Sequence, residues 1–130
     1  HCKNITCVDE WNPYWEIENP SIIIEAENNF DALLLKYNNI TKLKTSSVEG
    51  ASNFRDESID FVYIDGDHSF ESVYQDLNLW FPKLLKNGVI AGDDYFHPSG
   101  IEVRKAVNKF VSENNLILHT FIDSQFAIIK

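Results

Sequence analysis

Acidic side chains stand at or just past the ends of the most apolar runs in this sequence. The run IDFVYID, residues 59–65, closes on Asp65 and is followed by Gly66, Asp67 and His68. The run VIAG, residues 89–92, leads into Asp93 and Asp94, and NITCV, residues 4–8, leads into Asp9. Carboxylates crowded on neighbouring strand tips must either hold a proton or recruit a cation. An all-oxygen donor set favours a hard ion such as Mg²⁺ or Ca²⁺ over zinc. His68 is suited to act as a general base, a ligand or a hydrogen bonder that fastens the loop. Ordinary strand-ending and helix-capping duty is an equal reading for Asp9 or Asp67 taken alone. It is a weaker one for Asp65, Asp93 and Asp94 together.

The flanking patterns say which elements carry these groups. NITCV reads as a strand, and a loop with Pro13 and Pro20 follows. Ile23, Ala26, Phe30, Leu33, Leu34 and Tyr37 recur at helical spacing up to Asn38-Asn39. ITKLKTS is a short strand, and residues 48–54 make a turn or two of helix. Residues 59–65 form the clearest strand, apolar on both faces as in a covered parallel sheet. The next helix repeats Phe70, Val73, Leu77, Trp80, Phe81 and Leu84, with Asp67 or Ser69 as cap, a break at Pro82 and a stop at Asn87-Gly88. After the VIAG strand, Ser99 and Glu102 form a capping box for a helix burying Val103, Ala106, Val107, Phe110 and Val111. LILHTFI and FAIIK, on either side of Asp123-Ser124, predict a final antiparallel hairpin. This alternation predicts an α/β fold with a mostly parallel sheet and helices on both faces. Such sheets bind ligands beyond the carboxyl ends of their strands, where the acids lie.

The 130 residues suffice for one domain with a real core. A net charge of -9, with no basic patch, argues against nucleic acid as partner. No apolar run approaches the ~20 residues of a membrane span. Cys2 and Cys7 lie too far apart along one extended segment to bond each other, which predicts reduced thiols and a cytoplasmic setting. With no G-x-G, no CxxC and no nucleophile elbow, P-loop, dithiol and serine-hydrolase chemistry are disfavoured.

The stretch from DFVYIDGDHSF through AGDDYFHPSG to AVNKF resembles the class I S-adenosylmethionine-dependent methyltransferases. The nearest branch is the small-molecule O-methyltransferases with an acidic D-G-D-H-S-F-type motif after the fourth strand. The resemblance implies a Rossmann-like methyltransferase fold over residues 1–130, and S-adenosylmethionine-dependent methyl transfer to a small-molecule hydroxyl. It implies that Asp9 holds the cofactor ribose, that Trp11 lies against the adenine, and that Ser47 and Asp65 also face the cofactor. It further implies Mg²⁺ on Asp65, Asp93 and Asp94, with His68 or Asp67 taking the proton. KTSS around Ser47 lacks the acid often found at that position. The family's first strand and glycine-rich loop have no counterpart in the sequence, so an N-terminally truncated domain holding strands two to seven is expected. The resulting gap would be closed by direct pairing of 4–8 with 59–65, by a partner such as a second copy, or by further residues. A non-catalytic module of the same fold, acting in assembly or binding, is the alternative.

Overall fold

The computed structural model describes residues 3–15 and 18–130. They form two compact units, residues 1–50 and 51–130.

In the first unit, β1 (Ile5–Asp9) pairs in parallel with β2 (Ile40–Lys44), Ile5 opposite Ile40 and Asp9 opposite Lys44. The connecting α1 (Ser21–Leu34) follows the apolar period of the sequence but buries none of its residues fully. Ile23 and Phe30 are half-buried, whereas Leu33 and Tyr37, expected inward, are exposed. Lys42 ties helix to sheet, meeting Glu27 at 2.7 Å and Asp31 at 2.6 Å, and Lys44 also reaches Glu27. These bonds hold the Glu27 carboxyl below its ordinary range. Cys7 is a half-buried free thiol, and its expected relation to Cys2 falls outside the described residues. Past β2, α2 (Ser47–Ser52) opens on a reciprocal cap: Ser46 Oγ accepts the Glu49 N–H, and Glu49 accepts the Thr45 hydroxyl at 2.6 Å.

The second unit is a four-stranded sheet with its helices. β3 (Ile59–Ile64) runs parallel to β4 (Leu84–Gly92), and β6 (Phe126–Ile129) lies antiparallel between β4 and β5 (Leu118–Thr120). The expected hairpin is therefore present. The strand order within this sheet is β3-β4-β6-β5. α3 (Phe70–Trp80) packs along α4 (Ile101–Glu113), and Val73, Leu77, Val103, Ala106, Val107 and Phe110 are buried together with Ile64, Ile90, Phe126 and Ile128. Each of these side chains larger than alanine contributes about 1.5–3 kcal/mol by leaving water. The opposite sheet face is open: Phe61 and Tyr63 stack on each other, 54% and 43% exposed, in register with Val89 and Ala91.

Two boundaries differ from expectation. The helix does not continue to Asn87: it ends at Trp80, and Pro82 enters a 3₁₀ turn, Phe81–Lys83. Asn87-Gly88 then lies inside β4, where the register jumps from Ile59 opposite Leu84 to Phe61 opposite Val89. Asn87 takes a left-handed φ of 66°, which asparagine tolerates, and its N–H reaches Lys130 O at 3.0 Å. At the other helix, the N-cap is Gly100 and no side chain caps it. Ser99 instead bonds His97, and Glu102 pairs with Lys105.

Candidate functional site

Strand β3 ends at Ile64 and β4 at Gly92, directly opposite each other, so the residues that follow leave the sheet side by side. Asp65, Gly66, Asp67 and His68 make the first loop, and Asp93 to Gly100 the second. A small hollow between them is lined by Ile64, Asp65, His68, Asp93, Val103 and Phe126.

Asp67 holds the first loop to the helix behind it. Its Oδ1 accepts the Ser69 N–H at 2.9 Å, and its Oδ2 accepts the Ser69 and Ser72 hydroxyls at 3.0 and 2.8 Å. Ser69 Oγ in turn accepts the Ser72 N–H as the cap of α3. The Ser69 N–H bond, then the Ser72 hydroxyl, hold the Asp67 carboxyl below its ordinary range. A carboxylate so occupied is a poor proton acceptor, so the residue is the loop's fastener. Asp67→Ala is expected to cost about 1 kcal/mol through the loop hydrogen bonds it removes. A depressed carboxyl stabilises the fold above the unfolded-state pKa and loses that contribution as pH falls through the folded-state value. Urea unfolding should therefore separate wild type from variant at pH 7 and bring them together in acid.

The second loop turns sharply. Asp94 sits at a left-handed φ of 63°, unusual for a residue with a side chain. Its N–H bonds the Asp93 carboxylate at 2.8 Å, and its carbonyl accepts the His97 N–H at 3.2 Å. Tyr95 is buried behind it, donating its hydroxyl to Asn108 at 2.8 Å. This turn places Asp94 Oδ2 3.0 Å from His68 Nε2.

Three groups converge. One donor atom each from Asp65, His68 and Asp94 lies within 4.8 Å of the others. Asp93, expected in the cluster, lies beside it with its Oδ1 on the Asp94 N–H. His97, which the sequence reading left out of the site, stands at the rim with Nδ1 3.7 Å from Asp94 Oδ1, steadied by Ser99 Oγ at 2.6 Å. The HPS sequence carries that signal, since a serine two residues after a histidine can bond its ring. Burial, then the charges of Asp93 and Asp94, push the Asp65 carboxyl up. Its charged form therefore opposes folding once pH exceeds the unfolded-state value. Asp65→Asn is expected to raise the Tm of the ligand-free protein at neutral pH, a difference that shrinks in acid.

The remaining predicted residues lie in the first unit. Asp9 ends β1 with Oδ1 2.6 Å from the Trp11 N–H, which fixes the carboxylate on an exposed strand tip. Trp11 is only 9% exposed; its ring lies 5.2 Å from that of Phe30, with Lys42 Nζ 4.8 Å from the Trp11 centroid. It is a core residue of this unit, which leaves little ring surface for an adenine. Ser47 opens α2, just past β2.

The comparisons with known proteins bear on this arrangement. A family model described as "Methyltransferase domain" matches residues 1–95. The chain belongs to that family, among the class I S-adenosylmethionine-dependent methyltransferases. An uncharacterized protein of Acanthamoeba polyphaga mimivirus is 32% identical over 103 residues, 72% of this chain and 47% of the relative. The chain thus spans about half the length of that relative. A Staphylococcus aureus protein assigned as a caffeoyl-CoA O-methyltransferase matches with a TM-score of 0.67 at 18% identity, over 98% of this chain and 76% of its own. The O-methyltransferase NovP matches with a TM-score of 0.67 at 14% identity, over 98% and 60%. A Corynebacterium glutamicum protein gives 0.66 at 14% identity over the same shares, 98% and 60%. At such identities the likeness concerns the fold, which is the Rossmann-like methyltransferase fold. Among the described residues no helix is long and apolar enough to cross a membrane.

Proposed function

We propose that this chain serves S-adenosylmethionine-dependent methyl transfer to a hydroxyl of a small molecule, with a divalent cation held at the carboxyl ends of β3 and β4. The observation that carries the reading is the convergence of Asp65, His68 and Asp94 in a chain of this family. The cluster's chemistry fits a dication: two carboxylates and an imidazole at ligand spacing, with Asp65 disfavoured as a bare anion by burial and by its acidic neighbours. A cation bound there lowers the pKa of an acceptor hydroxyl and fixes its oxygen. Asp9, held by the Trp11 N–H, offers a carboxylate suited to a ribose diol.

The chain's own residues contribute mainly placement. Alignment of the acceptor oxygen with the methyl donor is what the reaction needs most, and misplacement by an ångström is costly. Asp67, with Ser69 and Ser72, fixes the loop that bears Asp65 and His68. Asp93 and the turn at Asp94 fix the other. The chain's net charge of -9 disfavours a nucleic-acid acceptor.

A second reading, a non-catalytic binding module or a copy in a homo-oligomer, is favoured by the open sheet face at Phe61 and Tyr63. Calorimetric titration with S-adenosylmethionine and with a divalent ion, separately, divides the two. Binding of both is expected. Binding of the ion alone would point to another metal-dependent reaction, and binding of neither to the module.

A further inference from the structure

We propose that His68 is itself a ligand of this cation site, and that the site therefore takes a first-row transition dication of the Fe²⁺ to Zn²⁺ class in preference to Mg²⁺. This deepens the functional reading above and rests on it for the presence of an ion.

The residue types near the two strand ends admit two donor sets. Asp65, Asp93 and Asp94 would be all oxygen and suit Mg²⁺, which seldom accepts nitrogen. The geometry selects the other set, Asp65, His68 and Asp94. Asp93 is outside that set, and its Oδ1 accepts the neighbouring N–H at 2.8 Å, an interaction that shapes the turn. His68 Nε2 and Asp94 Oδ2 lie 3.0 Å apart. Two donors cis to each other on an ion with bonds of about 2.1 Å are separated by about 3.0 Å, so the pair needs little movement to share one. Imidazole beside carboxylates suits Fe²⁺, Co²⁺ and Zn²⁺. A consequence follows for the proton. A ring nitrogen bound to an ion has no lone pair to spare, so Nε2 of His68 does not act as the base.

The probe is Co²⁺, whose visible absorption changes in band position and intensity when nitrogen enters its coordination shell. On titration of the protein, a visible band should grow to one equivalent, be abolished by equimolar Zn²⁺ and survive a large excess of Mg²⁺. His68→Ala, at a side chain 44% exposed and so tolerant of truncation, should weaken Co²⁺ binding at least about tenfold. Asp93→Asn, which keeps the Oδ1 acceptor and removes only a neighbouring charge, should weaken it less than His68→Ala does. Absence of Co²⁺ binding, in which case His68 and Asp94 form an ion pair only, would overturn the proposal. So would equal losses in the two variants, an unaffected His68→Ala, or Mg²⁺ competing at the Co²⁺ concentration. Methyl transfer is scored apart: Co²⁺ bound through His68 without methyl transfer sinks the functional reading alone, and Mg²⁺-supported transfer in His68→Ala sinks this one alone.

Discussion

Replacing Gly100 with alanine is expected to destabilise the protein by about 3 kcal/mol and to disable the site at the same time. Gly100 begins α4, where its carbonyl accepts the Arg104 N–H at 3.0 Å and its own N–H bonds His97 O at 2.8 Å. A β-carbon there would overlap the Asp94 carbonyl oxygen and come within 2.8 Å of the carbonyl carbon. Both neighbours are backbone and neither can rotate away. Relief requires moving either the helix, whose Val103, Ala106 and Val107 are buried, or the Asp94 turn. The turn is the cheaper to displace, so Asp94 should leave His68. Thermal unfolding should show a Tm lower by on the order of 10 °C. Any variant that still folds should lose divalent-ion stabilisation as well. A Tm within about 2 °C of wild type would mean that helix and turn are not packed as described.

Asp94→Asn isolates charge from backbone. Asparagine tolerates the left-handed conformation at 63° nearly as well as any residue with a side chain, so the turn should persist. What is lost is the negative charge facing His68 and the ion. Methyl transfer is expected to fall by about a hundredfold or more, in line with removal of one electrostatic contact at a reacting centre. Ligand-free stability should change by less than about 1 kcal/mol, since the Asp94 carboxylate is partly exposed and its ion pair with His68 is screened. Saturating dication, which stabilises wild type by about 2.7 kcal/mol at a hundred times its Kd, should stabilise this variant far less.

Much of this arrangement was legible in the residues. IDFVYID and VIAG read plainly as strands, and the acids after them had to meet wherever the two pair; their apolar character on both faces did not reveal that Phe61 and Tyr63 stay exposed. Side chains within a loop were harder to assign. Nothing in GDDY says which Asp reaches His68; the left-handed backbone at Asp94 and its contact with His68 answer that. His68 was offered as base, ligand or fastener, and nothing in the sequence shows that its ring meets Asp94 at 3.0 Å. Asn87-Gly88 is a standard helix stop, yet Pro82 had already ended the helix, leaving that pair for an irregularity within β4. Ser99 and Glu102 have the spacing of a capping box, but Ser99 bonds the His97 ring and the box does not form. On α1, helical periodicity was correctly read while burial was not, because an apolar stripe states which face could be covered and not whether anything covers it.

The most direct test is transfer of a labelled methyl group from S-adenosylmethionine by the full natural polypeptide to a panel of small hydroxyl compounds, with and without a chelator. Label in an ether linkage on the acceptor, lost on chelation, restored by added dication and reduced in Asp94→Asn, is the predicted result. Transfer that ignores both the chelator and Asp94→Asn would contradict the cation site. No transfer to any hydroxyl, with S-adenosylmethionine left unbound, would contradict the methyltransferase reading itself.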